Sequence, residues 1–138
     1  MARVFNYNAP GLGNVGSYQV SGKPFVSGGL DLSNQPNSTP FVVNFPTVTR
    51  WFVVTNHDTT SDGDVKVAFS EDGFDSNNFF TVSRDASDYG DTMTARLELK
   101  VTKLYLTGTC TNCDIVAGLT GIHTGSIANN WAGTKGVG

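Results

Sequence analysis

Charged residues are scarce in this chain, and so are the residues that build helices. Asp, Glu, Lys and Arg together make up 15% of the 138 residues, against about 25% in an average protein. Glycine, threonine, asparagine and serine are abundant instead, with valine and phenylalanine as prominent apolar residues. Because helices favour Ala, Leu, Glu and Lys, whereas β-branched and aromatic residues favour strands, this composition excludes a helical bundle and indicates a β-rich protein.

Basic runs, long apolar stretches and a secretory leader are also missing. The nine Lys and Arg residues are scattered from Arg3 to Lys135, and the sequence pI is about 5.1. This distribution argues against a sequence-specific nucleic-acid binder, which usually carries a basic patch. No apolar run approaches the ~18 residues of a membrane-spanning helix, so no transmembrane segment is expected. Met1 to Pro10 lacks the apolar core of a signal peptide, which predicts a chain that is not exported.

Short β-like stretches separated by turn residues fill the middle of the chain. In the stretch Asp64 to Ser70, apolar and polar residues alternate as in a half-buried strand. Thr92 to Val101 reads as an amphipathic strand. About eight such stretches recur at a spacing of roughly 8–12 residues, which is typical of an antiparallel sandwich or barrel. The expected organisation is an N-terminal arm (residues 1–16), one all-β sandwich domain (17–120) and a Gly/Asn-rich C-terminal tail (121–138).

Two short motifs match patterns that carry chemistry in other proteins. Residues 11–16 fit G-x-G-x-x-G, but Pro10 precedes them and a strand-like stretch follows. A dinucleotide site needs a strand before the glycines and a helix after them, so a flexible glycine-rich arm is expected instead. Cys110 and Cys113 form a C-x-x-C between two predicted strands. A local disulfide, two inert thiols, a metal site and a redox pair remain open, although no second cysteine pair completes a zinc site.

Acidic residues are concentrated in one part of the chain. Nine of the twelve Asp and Glu residues lie between Asp58 and Asp91, where Lys66 and Arg84 are the only bases. Carboxylates from loops at one end of a sandwich can meet around a calcium ion. Asp is also a common turn residue because its side chain bonds to nearby backbone. Solvated turns are the expectation, and a calcium site is the alternative.

Candidate catalytic residues are few. His57 and His123 are the two histidines, and no G-x-S-x-G motif occurs. A triad, a paired-carboxylate site or a metal-dependent cupin site would need a fuller constellation. The sequence therefore predicts no catalytic residue, no cofactor, no bound metal and no enzyme activity. A non-catalytic carbohydrate-binding or adhesin-like sandwich, assisted by calcium, is the alternative function.

Aromatic residues also occur in the irregular ends. Phe5, Tyr7 and Trp131 lie there, where a lone chain gives them little to pack against. Such rings gain stability when another chain buries them. These three residues are the predicted interface, and a homo-oligomer is the predicted state. The alternative is that the ends fold back onto their own sandwich.

The order of several stretches resembles a known family. The stretches are GSYQVSG (16–22), PFV (24–26), FPTVTR (45–50), VTNH (54–57), VKVAF (65–69), LELKVTKLYL (97–106) and AGLTGI (117–122). Together they are similar to the small single jelly-roll capsid proteins of large icosahedral double-stranded DNA viruses, especially the penton proteins of algal giant viruses. The resemblance implies a jelly roll of eight strands in two four-stranded sheets, with five copies closing a ring at each fivefold vertex. It further implies contacts with the major capsid protein and minor capsid proteins, in a virion assembled in the host cytoplasm.

Overall fold

The computed structural model describes residues 22–59, 63–84, 91–126 and 136. In these residues the chain forms eight strands and two short 3₁₀ helices, Glu71–Ser76 and Thr124–Ser126. The strands are β1 (Lys23–Leu30), β2 (Phe41–Asn44), β3 (Thr47–Asn56), β4 (Asp64–Ala68), β5 (Phe79–Ser83), β6 (Thr92–Met93), β7 (Lys103–Gly108) and β8 (Cys113–His123). None of the helices described is long and apolar enough to cross a membrane.

The strands form two antiparallel four-stranded sheets. The first sheet has the order β1-β8-β3-β6 and the second has the order β2-β7-β4-β5. The pairs are nested, since β1 pairs with β8, β2 with β7, β3 with β6, and β4 with β5. One long hairpin that turns at the 3₁₀ helix Glu71–Ser76 and then rolls up gives this order, which is the jelly roll. The predicted all-β, eight-stranded jelly-roll sandwich is therefore confirmed.

The core lies between the two sheets and follows from alternation along the strands. In β4, Val65 and Val67 are fully buried, while Asp64 and Lys66, which alternate with them, are partly exposed. Phe52 on β3 is fully buried beside Leu104 and Leu106 of β7, so the inner faces of both sheets share one apolar cluster. Burial of these side chains supplies the main driving force for folding.

The stretch Thr92 to Val101 differs from the regular strand that its pattern predicted. Strand β6 has two residues, and Leu97 adds one isolated bridge to Phe52. The hydroxyl of Thr49 donates to the Leu99 carbonyl at 2.8 Å and accepts the Val101 N–H at 3.0 Å. A side chain of β3 thus satisfies backbone groups that a ladder would otherwise pair, which explains why the regular strand stops early.

Strand β8 continues past Thr120, the residue at which the sequence predicted that the sandwich domain ends. It reaches His123, and Ile122 within this extension is fully buried. The Thr120 hydroxyl donates to the Val48 carbonyl at 2.7 Å and accepts the Ile122 N–H at 3.2 Å. These contacts hold the last residues of β8 against β3.

Gly108, the last residue of β7, permits the turn into β8. Its φ is +138°, a conformation that L residues rarely adopt, and a Cβ there would overlap the Asp64 carbonyl oxygen. That oxygen accepts the N–H groups of Thr109 and Cys110 at 3.0 and 3.1 Å. The glycine therefore allows a close backbone approach between β4 and the β7–β8 turn.

Replacing Gly108 with alanine should lower the free energy of unfolding by at least about 2 kcal/mol, because the methyl group combines backbone strain with a clash. Gly29→Ala is the matched control, since Gly29 has φ +64° but no atom lies within 4 Å of the place that a Cβ would take. It should cost about 1 kcal/mol, the strain alone. Urea unfolding of both variants measures the two costs, and equal losses would contradict the role of the close approach.

Candidate functional sites

The residues predicted to form an interface, Phe5, Tyr7 and Trp131, lie outside the described residues. The glycine motif at residues 11–16 lies outside them too. The prediction that the aromatic rings meet another chain therefore stays a prediction. The candidate sites within the described residues are the acidic end of the sandwich and one apolar hollow at its side.

The acidic end is the end of the sandwich at which β1 and β3 finish and β4 and β8 begin. It carries the carboxylates of Asp31, Asp58, Asp64, Asp91 and Asp114. The connections β1–β2, β3–β4, β5–β6 and β7–β8 all belong to this end, because neighbouring strands run antiparallel. Among the described residues, no group of three or more His, Cys, Asp or Glu side chains is arranged to hold a metal ion. The carboxylates described below bind backbone groups or His57 instead.

Asn56, the last residue of β3, is a fully buried polar side chain at the acidic end. Its amide group donates to the carbonyls of Gly63 at 2.7 Å and Val82 at 3.0 Å. Its oxygen accepts the Asp58 N–H at 3.0 Å and lies 3.2 Å from the Cys110 sulfur. Two donors and two acceptor positions are thus all used, which is what burial of an amide requires. Because Val82 belongs to β5, the side chain ties the first sheet to the second.

Asp58 is also fully buried, and its carboxylate holds the β7–β8 turn. It accepts the Thr111 N–H at 2.8 Å, and the Thr111 hydroxyl lies 3.5 Å away. A Cβ on Gly63 would overlap this carboxylate, so Gly63 packs directly against it. The Asp58 side chain therefore organises the end of the fold rather than facing a ligand.

The C-x-x-C cysteines are fully buried thiols in this structure. The Cys110 sulfur lies 3.1 Å from the Asn112 carbonyl oxygen as well as close to Asn56. The hydrogen bond with Cys110, burial and the negative charge of Asp114 raise the pKa of the Cys113 thiol. The same hydrogen bond lowers the pKa of the Cys110 thiol. The Cys113 thiol therefore stays protonated, and a protonated, buried thiol is a poor nucleophile and a poor metal ligand.

His57 lies between two carboxylates at the edge of the same end. Its Nδ1 is 2.7 Å from Asp91 Oδ2, and its Nε2 is 2.7 Å from Asp114 Oδ2. Partial burial favours the neutral imidazole, but the hydrogen bonds and negative charges of Asp91 and Asp114 outweigh it and raise the pKa of His57 above 6.5. Both ring nitrogens therefore serve ion pairs, and neither is presented to a hydroxyl or thiol nucleophile.

The apolar hollow lies at the side of the sandwich between β5 and the segment that follows β6. It has a volume of about 250 Å³ and is lined by Phe69, Phe80, Thr94, Leu97 and Leu99. Leu99 is 42% exposed, and Met93 nearby in the chain is 62% exposed. At the opposite side, where β1 and β2 are the outer strands, Val26 and Val42 are exposed. The exposed large apolar residues of the described part thus lie on two different sides of the sandwich.

Sequence reasoning identified the C-x-x-C and the acidic window but missed the roles of Asn56 and His57. His57 and Asp114 are 57 positions apart in the sequence, so no local sequence motif could predict their contact. The one local signal is an asparagine at the apolar end of a predicted strand, followed by His and Asp. No family model, curated protein or solved structure matches this chain.

Proposed function

We propose that this chain is a structural protein that assembles with copies of itself, and specifically the penton of an icosahedral virion. Jelly rolls are found in viral capsid and lectin domains and in cupins. The observation that carries the proposal is the nested strand order of a complete eight-stranded jelly roll within one small chain. The resemblance of residues 16–122 to penton proteins favours the capsid role among these alternatives.

The distribution of exposed apolar residues supports association in a ring. A closed ring of identical subunits needs two different surfaces that meet head to tail. The hollow beside β5 and β6 is one candidate surface, and the β1–β2 side with Val26 and Val42 is the other. In this proposal each subunit sets one side against the opposite side of its neighbour, and five copies close the ring.

The chemistry of the acidic end supports a non-catalytic role. His57 is held by two carboxylates, and the Asp58 carboxylate is buried against Thr111. A general base needs a free ring nitrogen or carboxylate oxygen within reach of the proton that it removes. These groups stabilise the fold instead, so the proposed function relies on surfaces. The neighbours in the particle would be the major capsid protein and minor capsid proteins.

Substitution of Phe5, Tyr7 and Trp131 tests the part of this proposal in which the terminal aromatic residues add to the contacts between subunits. A variant with Phe5→Ser, Tyr7→Ser and Trp131→Ser should associate at least about 100-fold more weakly, because aromatic residues buried at an interface contribute about 2 kcal/mol or more each. Sedimentation velocity across a range of concentrations measures the change, and thermal melting checks that the sandwich is still folded. Unchanged association would refute the interface.

The alternative binding module predicts a different outcome. A monomer whose melting temperature rises with calcium, or which binds a glycan on an array, would replace the capsid proposal. Under the structural proposal the melting temperature does not respond to calcium, and no glycan is retained.

A further inference from the structure

The contacts of His57 with Asp91 and Asp114 form an ion-pair bridge, and their geometry fixes how many protons this bridge needs. Nδ1 and Nε2 each lie 2.7 Å from a carboxylate oxygen of Asp91 or Asp114. Each of these short contacts needs one proton between nitrogen and oxygen, so the trio holds two bridging protons. A neutral imidazole with two ionised carboxylates has only one proton for the two contacts. One ring nitrogen then sets its lone pair against a carboxylate, and that contact must open.

The bridge is continuous with the hydrogen bonds of the first sheet. Asp114, at the start of β8, also accepts the Gly29 N–H of β1 at 2.9 Å through its Oδ1. His57 directly follows β3, and Asp91 directly precedes β6. A chain of contacts from Gly29 through Asp114 and His57 to Asp91 therefore joins all four strands of the sheet at one end.

We propose that His57 is a pH-sensitive latch that fastens the four strands of the first sheet at the acidic end. The latch is closed while the two bridging protons are present and opens when one is lost. This inference does not depend on the proposed assembly, because it concerns contacts within one chain.

The surroundings of His57 favour the closed, protonated state over the open one. The two carboxylates in contact come from β8 and from the residue before β6. The other titratable or charged side chains described at this end are Asp31 after β1, Asp58 after β3, Asp64 at the start of β4, Arg84 after β5, Cys110 before β8 and Cys113 at its start. Among the described side chains at this end, carboxylates outnumber the one arginine, so the local charge favours retention of protons.

The direction of the pH dependence follows from the raised pKa of His57. A histidine whose pKa is higher in the folded state stabilises the fold fully below its unfolded value of about 6.5. That stability is lost as the pH rises through the folded-state pKa. The latch therefore opens on the alkaline side.

The variant His57→Gln tests the latch, and His123→Gln is its matched control. His123 is exposed and lies at the far end of β8. The pH dependence of unfolding free energy between pH 5.5 and 9 is measured by urea titration. Wild type and His123→Gln should both lose stability on the alkaline side relative to His57→Gln, which has no imidazole to deprotonate there. Equal profiles for wild type and His57→Gln would overturn the latch.

Hydrogen exchange at Gly29 and NMR titration of His57 test the latch even if His57→Gln folds poorly. In wild type, the protection factor of the Gly29 amide against hydrogen exchange should fall by about two- to fivefold as His57 deprotonates, the size expected for partly exposed ion pairs. By NMR titration, Asp91→Asn should shift the His57 transition to lower pH, since it removes one of the two negative partners. A constant Gly29 protection factor, or a His57 titration that Asp91→Asn leaves unchanged, would refute the latch.

Discussion

Replacing Asn56 with aspartate should lower the free energy of unfolding by about 3–5 kcal/mol, the cost of an uncompensated buried charge. The two side chains have nearly the same shape, so packing is preserved and only the chemistry changes. The amide donates to the carbonyls of Gly63 and Val82. A carboxylate oxygen in its place faces two carbonyl oxygens and repels both.

Two comparisons separate this effect from a general effect of Asn-to-Asp replacement. Asn44→Asp makes the same change at an exposed position on β2 and should alter stability by less than about 0.5 kcal/mol. In Asn56→Asp, burial raises the pKa of the new carboxyl, so its protonation should recover part of the loss as the pH falls. Urea unfolding at pH 4.5 and pH 7.5 measures both. A loss at position 56 no larger than at position 44 would contradict the role of Asn56.

Replacing Phe52 with alanine should cost about 3–5 kcal/mol, as expected for a large cavity in a well-packed core. The ring is fully buried on β3 and packs edge-on to Phe69 with 6.4 Å between ring centroids. Its backbone also exchanges hydrogen bonds of 2.9 and 3.0 Å with Leu97. The cavity would therefore weaken both the core and the attachment of the segment after β6.

Phe41→Ala is the matched control for the Phe52 substitution. Phe41 is a half-buried residue at the start of β2, an outer strand of the second sheet. Its truncation removes less buried area and should cost about 1–2 kcal/mol. Chemical denaturation at low protein concentration measures both variants without a contribution from association. A Phe52 variant as stable as the Phe41 variant would contradict the placement of Phe52 at the centre of the core.

Much of the fold could be predicted because several strands bury one face and expose the other. Val65 and Val67 alternate with polar residues, and the structure buries both. Turn residues at regular spacing indicated eight strands, and the jelly-roll class came from the resemblance. Thr92 to Val101 has the same alternating signal but is mostly irregular. The Thr49 side chain bonds the backbone of Leu99 and Val101 about 50 positions away, and no local pattern can reveal such a contact.

The acidic end could be predicted only in part, because its contacts also join residues that are far apart in the sequence. The concentration of carboxylates was visible in the sequence, but their partners depend on which strands become neighbours. Asp114 meets His57 because β8 lies beside β3, and Asp91 meets it because β6 lies on the other side of β3. The sequence showed only a concentration of acidic residues, whereas the structure shows that Asp91 and Asp114 pair with His57 within the same chain.

We propose that this jelly roll works by joining copies of itself rather than by transforming a substrate. The most direct test is the mass of the purified, unmodified chain in solution, measured by sedimentation equilibrium over a 100-fold range of concentration. The account predicts a closed pentamer of five 14.7 kDa subunits, about 74 kDa, with no larger species of open-ended growth. A chain that stays at 14.7 kDa across the whole range would contradict it.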